Sequence, residues 1–297
     1  MYNLLRACSW KYIKSAAFWV SLIGAAICGV LCWPSHGLDT FIDVSDVLSA
    51  VVYMICAAMI SLNVGKEYSD GTFRNKITVG HTKTKIFLSE MLVGLAACAL
   101  VYLVFAVSFS AVCAERVFGI KFEALIRIPM AILLASLGLS AMFVLISMLC
   151  SNKSVALIVS LVTRLVMVIA VDMAGTALWR SEMHTEKYIP HVVMDETTGE
   201  PIIDPTNGGY VLVTENDPKY IDPNYISEPT RAVLTAIYDV LPAGAIDQYV
   251  AEIYPYFEGK FPNQYDLYPR YLPYVSAVVL AVLIFAGAML FAKKDIK

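Results

Sequence analysis

The side chains of this chain that could do chemistry do not converge on a catalytic site. The sequence contains no G-x-x-x-x-G-K-[ST] loop for a nucleotide, no H-E-x-x-H pair for zinc and no G-x-S-x-G turn for a nucleophile. The four histidines are spread over segments that the hydropathy pattern places on both sides of a membrane; they are His36, His81, His184 and His191. We therefore predict no catalytic residues, no enzyme activity and no ATP hydrolysis by this chain alone.

The cysteines do not indicate a metal site or a disulfide-linked domain. All seven lie before residue 151, and they are Cys8, Cys28, Cys32, Cys56, Cys98, Cys113 and Cys150. Small apolar side chains in membrane helices are their simplest interpretation. Cys28 and Cys32 are four residues apart, but no third ligand follows nearby, so no metal site is predicted.

One arginine and one aspartate interrupt an apolar segment near residues 154–176. Arg164 is too far from either end for its guanidinium to reach water easily, so it should face protein or a wet cavity. Asp172 lies two helical turns further along, too far to pair directly. Both are candidates for a translocation pathway. A subunit interface, or a structural hydrogen bond to Ser136, Ser140 or a backbone carbonyl, would also explain Arg164. A membrane-embedded enzyme that uses Arg164 and Asp172 is disfavoured, because the chain offers no nucleophile–base pair.

Composition indicates that most of the chain lies in a membrane. Of the 297 residues, 58% are hydrophobic and 16% charged, against about 25% charged in soluble domains. Apolar segments of spanning length predict six transmembrane helices, near 15–33, 45–64, 86–113, 124–150, 154–176 and 273–292. Residues 1–14 are amphipathic and fit a helix along the membrane surface, or equally an irregular basic flank.

Residues 177–271 differ in composition from the apolar segments around them. They hold 15 acidic residues, 6 basic ones and 10 of the 13 prolines. Turn signals predict a hairpin of 191–194 with 201–203, a strand at 210–214, and helices near 230–241 and 243–253. The predicted fold class is thus an all-α polytopic membrane protein with a mixed α/β extracellular segment. The predicted domains are 1–176, 177–271 and 272–297.

The distribution of Lys and Arg predicts the orientation. The N-terminus, the loop 65–85 and the C-terminal tail are basic, and the short opposite loops are not. Because basic loops stay in the cytoplasm, both termini and the loop 65–85 are predicted inside, and 177–271 outside.

The loop 65–85 contains a short helix signal between two spans. Ser69 and Asp70 can cap a helix over 72–79, and Gly80 can end it. Two turns are too few to be stable alone in water. Either the chain's own membrane helices or a second protein must therefore hold this helix.

Several of these features together resemble a known family. The loop reads Glu67-x3-Gly71-Thr72, then Gly80 and a basic Lys83, and Leu241-Pro242-x-Gly244 precedes the last span. With the six-span layout and the Lys-Lys-Asp ending, this resembles the permease subunits of ABC-2 type ABC transporters. Two positions differ from the usual pattern, where the family often has Arg in place of Lys83 and Lys in place of Glu90.

The resemblance implies that the helix in loop 65–85 is a coupling helix. In such permeases it docks on a separate nucleotide-binding subunit, which binds ATP and Mg²⁺, so this chain itself would hold no cofactor. The expected partners are two copies of that ATPase, a second identical or related permease, and membrane lipid, with no nucleic acid. Eight residues are the predicted contacts with the ATPase: Glu67, Tyr68, Gly71, Thr72, Phe73, Arg74, Lys76 and Ile77.

The expected function is export of a peptide, a lipid-like or a drug-like substrate across a bacterial cell membrane. The acidic outer segment would suit a cationic substrate such as an antimicrobial peptide, although a solvated acidic surface is commoner. The alternative is a sensor of an extracellular ligand, or an antimicrobial-peptide immunity protein, that transports nothing. Association with an ATPase separates the two hypotheses.

Overall fold

A computed structural model describes residues 2–32, 38–112, 122–179, 190–192, 212–214, 226–257 and 271–294. In chain order the helices before the outer segment are α1 (Tyr2–Lys14), α2 (Ala16–Leu31), α3 (Leu38–Ser69), α4 (Thr72–Thr78), α5 (Lys83–Val112), α6 (Phe122–Leu149) and α7 (Lys153–Trp179). They are followed by β1 (Pro190–Val192), β2 (Leu212–Thr214), α8 (Glu228–Val240), α9 (Pro242–Phe257) and α10 (Leu272–Lys293).

Within the part of the chain that the structure describes, five helical segments are long and apolar enough to cross a membrane. They are Ser49–Ser69, Lys83–Val112, Ile128–Leu149, Lys153–Leu178 and Leu272–Lys293. Helices α1 and α2 meet at a bend of 62°, and together they would supply a sixth span. The prediction of a polytopic helical membrane protein is confirmed. The bend at Ser15 separates the amphipathic start of the chain from the first apolar segment, and of the two alternatives for residues 1–14 the structure shows a helix, not an irregular flank.

Helix α5 is the centre of the packing. It contacts α1, α2, α3, α6 and α10, and its buried residues run from Ile86 to Tyr102. Two glycines permit close approaches between α5 and its neighbours α2 and α10. A Cβ at Gly29 would lie 2.6 Å from Cβ of Ser108, and one at Gly287 would lie 2.4 Å from Cζ of Phe87. Small residues at such crossings let membrane helices approach closely, which is the main source of packing energy inside a bilayer.

Helices α8 and α9 confirm the two short helices predicted before the last span. They are separated at Leu241, and Pro242 begins α9, a position where the missing N–H of proline costs nothing. A Cβ at Gly244 would lie 2.2 Å from the carbonyl oxygen of Tyr238. The Leu241-Pro242-x-Gly244 motif therefore makes a tight corner, and α9 then packs along α6.

The mixed α/β segment predicted for 177–271 is not supported. Its described residues are helical apart from β1 and β2, which are three residues each and antiparallel, with His191 opposite Val213. This pairing also differs from the predicted hairpin of 191–194 with 201–203, whose second strand lies outside the described residues. The chain divides into one compact unit of 1–172 with 236–297 and another of 173–235.

Candidate functional site

Two glycines fix the ends of α4, the short helix between the second and third predicted spans. Gly71 precedes it with φ of 66° and Gly80 follows it with φ of 96°, both in the left-handed region that favours glycine. Gly80 N–H bonds to the carbonyl of Ile77 and His81 N–H to that of Lys76, the pair of bonds that defines a Schellman end. The predicted role of Gly80 is confirmed.

The predicted N-terminal cap is wrong. Ser69 is still part of α3 and its hydroxyl donates to the carbonyl of Gly65 within that helix. Gly71 occupies the cap position, with no side-chain hydrogen bond. Helix α3 thus continues past Glu67 almost to the start of α4, which places the two helices in direct contact.

An aromatic cluster holds α4 against the chain's own helices. The Phe73 side chain is 1% exposed. Its ring centroid lies 4.5 Å from that of Tyr68 and 6.0 Å from that of Phe291, and Phe291 in turn lies 5.9 Å from Phe87. Of the two ways in which the short helix could be held, the structure shows the intramolecular one.

Four charged residues from four helices form the ion-pair cluster, which we define as Lys11, Glu67, Lys76 and Glu90. The ammonium of Lys76 lies 2.7 Å from Oε2 of Glu67 and 3.0 Å from Oε1 of Glu90. The ammonium of Lys11 lies 2.8 Å from Oε1 of Glu67 and 2.9 Å from Oε2 of Glu90. Each carboxylate contacts both ammonium groups, so α1, α3, α4 and α5 are joined at one point.

The cluster is electrically balanced in a place where an unpaired charge would be costly. Glu67 and Glu90 are buried, and two positive charges face their two negative ones. Burial alone would lower the pKa of Lys76, but the carboxylates of Glu90 and Glu67 outweigh it and raise the pKa above its ordinary value. Lys76 therefore stays protonated at physiological pH.

Cys8 brings a thiol to the same cluster. Its Sγ donates to Oε1 of Glu90 at 2.9 Å, and the ammonium of Lys76 lies 3.6 Å from the sulfur. Ligand atoms of Cys8, Glu67 and Glu90 lie within 4.8 Å of one another, a spacing that could hold a metal ion. Here the two ammonium groups occupy the positions that a cation would take, so the arrangement favours ion pairs over a metal.

The end of α10 is tied to the same region. The ammonium of Lys294 donates to the Tyr68 hydroxyl at 2.7 Å and to the carbonyl of Met148 at 2.9 Å. The ammonium of Lys83 donates to the carbonyl of Lys294 at 2.6 Å. The basic residues of the loop and of the tail, which the sequence suggested as orientation signals and as parts of the family resemblance, therefore also make specific hydrogen bonds.

The predicted ATPase contacts separate into buried and exposed residues. Glu67 and Phe73 are buried, and Lys76 is committed to the ion-pair cluster, so these three position α4 from within. Arg74 is exposed, as are Asn75, Thr78 and Val79, the last with 78% of its surface accessible. Gly71, Thr72, Tyr68 and Ile77 are of intermediate exposure. The surface that a partner could touch is therefore the Arg74–Val79 side of α4.

The two residues proposed for a translocation pathway are not brought together. Arg164 is 7% exposed and its guanidinium carbon lies 5.3 Å from the ring centroid of Tyr53. Asp172 is exposed on the same helix. No direct bond joins them within the described residues, as their spacing along α7 predicted.

Sequence reasoning missed Lys11, Cys8 and Tyr53 as site residues, and it noted Glu90 only as a departure from a family pattern. A signal was present at Glu90, which lies inside an otherwise apolar segment, where a carboxylate requires a partner. The identity of that partner could not be predicted, since Lys11 is 79 positions from Glu90 and 56 from Glu67.

Comparisons of the chain with protein-family models, with curated proteins and with solved structures find no match. The resemblance to ABC-2 type permeases therefore depends on the residues quoted above.

Proposed function

We propose that this chain is the membrane-spanning permease subunit of an ATP-driven ABC transporter that exports its substrate, with a separate ATPase docked on α4. The observation that carries the proposal is the attachment of α4. A seven-residue helix between two apolar spans is joined by the ion-pair cluster to α1, α3 and α5. A loop that only connected two spans would need no such fixation.

The attachment suits a part that transmits force. The exposed side of α4 offers a charged and an apolar side chain, Arg74 and Val79, to a partner. The opposite side carries Phe73 and Lys76, which contact the ends of several membrane helices. Closure of an ATPase dimer against the exposed side would thus displace α4 and those helix ends as one unit, because α4 is bonded directly to them.

The proposed arrangement places both termini and α4 in the cytoplasm of a bacterial cell, following the excess of Lys and Arg at that end. The functional unit contains two permeases and two ATPases, and ATP and Mg²⁺ bind only to the ATPases. The substrate is a peptide, a lipid-like or a drug-like compound.

The decisive test is association with an ATPase encoded next to this chain. A variant carrying Arg74→Glu and Val79→Asp changes only exposed side chains, so it should fold normally and lose the ATPase in a pull-down. Lys14→Glu makes a similar charge change on the exposed part of α1 and should keep it. Phe73→Asp is unsuitable as a contact variant, because it would place a charge in the buried aromatic cluster.

Two results would overturn the proposal. In the first, no ATPase associates with the folded chain, which would favour the sensor or immunity protein. In the second, the Arg74→Glu, Val79→Asp variant binds the ATPase as tightly as wild type. ATP-dependent flux in vesicles that contain both subunits would then establish transport and its direction.

A further inference from the structure

Arg164 is a buried cation, and no carboxylate among the described side chains pairs with it. It lies about 16 Å from the start of α7 and about 22 Å from its end at 1.5 Å per residue. Among the residues that the structure describes, none accepts a hydrogen bond from its Nε. Each ion pair formed by the described side chains belongs to the cluster of Lys11, Glu67, Lys76 and Glu90, so none of these carboxylates serves Arg164.

The face of Tyr53 is the principal contact of the guanidinium. Its carbon lies 5.3 Å from the centroid of that ring, a cation–π geometry. Tyr102 packs against Tyr53 with centroids 5.3 Å apart. These rings hold the guanidinium plane in place but cannot neutralise its charge.

The hydroxyl groups of these two tyrosines are hydrogen-bonded to serines of α6. Tyr53 Oη and Ser136 Oγ are 3.2 Å apart, Tyr102 Oη and Ser140 Oγ are 2.9 Å apart, and Ser140 donates to the carbonyl of Ser136. Either hydroxyl of the Tyr53–Ser136 pair can be the donor, so this pair can turn a proton toward an added anion. The ring that Arg164 faces thus belongs to a group of hydroxyl-bearing side chains from α3, α5 and α6.

An arginine at this depth in a membrane is costly unless something compensates its charge, and such residues usually mark a pathway or a ligand. Guanidinium groups match the two oxygens of a carboxylate or phosphate by parallel hydrogen bonds. The residues beside it on α7 that face outward are apolar and exposed, among them Val162, Leu165 and Val166. The Arg164 side chain therefore contacts α3 of the bundle, while the neighbouring exposed face of α7 is one that an amphiphile could approach from the lipid.

We infer that Arg164, held by Tyr53, binds the oxyanion of a ligand, a carboxylate or a phosphate, within the membrane-spanning part of the chain. If the chain is the permease proposed above, this ligand is the transported substrate. The inference in that form rests on the proposed function, and it makes the substrate an amphiphile with an acidic group, not a purely cationic peptide. The shared chemistry is the oxyanion, which either a lipid headgroup or a soluble anion could supply.

Thermal unfolding of the purified chain in an uncharged maltoside detergent tests this without any ATPase. The probes are a short-chain phosphatidylglycerol, a short-chain phosphatidylcholine as zwitterionic control, and inorganic phosphate against chloride at equal ionic strength. A ligand at about 100 times its Kd should raise the melting temperature of wild type by about 5 °C. A rise with phosphatidylglycerol indicates a lipid source, and a rise with inorganic phosphate a soluble one.

Variants assign the effect to Arg164. Arg164→Gln should lose the rise, and Arg164→Lys should keep a smaller one, since an ammonium retains the charge but not the planar fork. Lys85→Gln, which removes an exposed cation elsewhere, should respond like wild type. Should Arg164→Gln fail to fold, Arg164→Lys carries the test.

The inference is overturned if neither anion raises the melting temperature of wild type, or if Arg164→Gln, or Arg164→Lys in its place, responds as fully as wild type. If the chain binds the ATPase but no anion, only this inference fails. If it binds an anion but no ATPase, the proposed transport function fails, and the chain is an anion-binding membrane protein.

Discussion

Oε1 of Glu90 accepts a hydrogen bond of 3.0 Å from the ammonium of Lys76, and this contact joins the short helix α4 to the central helix α5. Glu90 is fully buried, and the second ammonium that reaches it comes from Lys11 on α1. Position 90 therefore links the start of the chain, the loop helix and the core of the bundle. Removing its charge should loosen all three.

Glu90→Gln should destabilise the chain by about 3–5 kcal/mol, because it leaves two partly buried ammonium groups to share the single buried carboxylate of Glu67. Thermal unfolding in detergent measures the change. The double variant Glu90→Gln, Lys76→Gln should recover part of the loss, since it restores the balance of one cation and one anion. Lys85→Gln is the matched control, because Lys85 is exposed and should change stability by less than about 0.5 kcal/mol. Equal stability of wild type and Glu90→Gln would mean that the cluster does not stabilise the fold.

Phe73→Ala should cost about 3–5 kcal/mol by removing a buried ring from contact with Tyr68 and Phe291. Arg74→Ala, one position along the same helix but exposed, should leave the melting temperature nearly unchanged. The pair separates the side of α4 that faces the bundle from the side that faces solvent. Similar melting temperatures for the two variants would show that α4 is not anchored through Phe73.

The course of α4 could be predicted because its signals are local. The signals for a two-turn helix before Gly80 lie between Gly71 and His81, and the structure confirms the helix and its C-terminal end but not the predicted cap at Ser69. Its attachment could not be predicted, since Phe73 contacts Phe291 and Lys76 contacts Glu90 through tertiary packing. Arg164 could likewise be identified from the local sequence, because it interrupts an apolar segment. Its contact with Tyr53 could not, because tertiary packing brings α3 against it.

Alanine substitutions at Gly80 and Gly244 compare the cost of backbone strain with the cost of a steric clash. At Gly80 an added Cβ would meet nothing within 4 Å, so Gly80→Ala should cost only the strain of a positive φ, about 1 kcal/mol. At Gly244 the added carbon would lie 2.2 Å from a backbone oxygen of Tyr238, which cannot rotate away. Gly244→Ala should therefore reduce the melting temperature more than Gly80→Ala. The opposite order would contradict the tight corner between α8 and α9.

Asp247 on α9 should make stability depend on pH in the acidic range. Asp247 has an exposed surface, but partial burial of its carboxyl raises the pKa above the ordinary value of 3.8. The hydroxyl of Tyr238 donates to the carboxyl and lowers the pKa, and the nearby Asp172 raises it again. Because the folded pKa exceeds the unfolded one, the ionised carboxylate is less favourable in the folded state. Stability should consequently increase as the pH falls from neutral through the folded pKa toward 3.8.

Asp247→Asn removes this titration while keeping an oxygen that can accept from Tyr238. At pH 7 the variant should melt above wild type, and the difference should shrink as the pH is lowered, because protonation relieves wild type of the same cost. Melting curves of both proteins at several pH values between about 4 and 7 measure the difference, and any titration common to both cancels. A gap that widens on acidification would mean that the ionised carboxylate stabilises the fold, with its pKa lowered instead of raised.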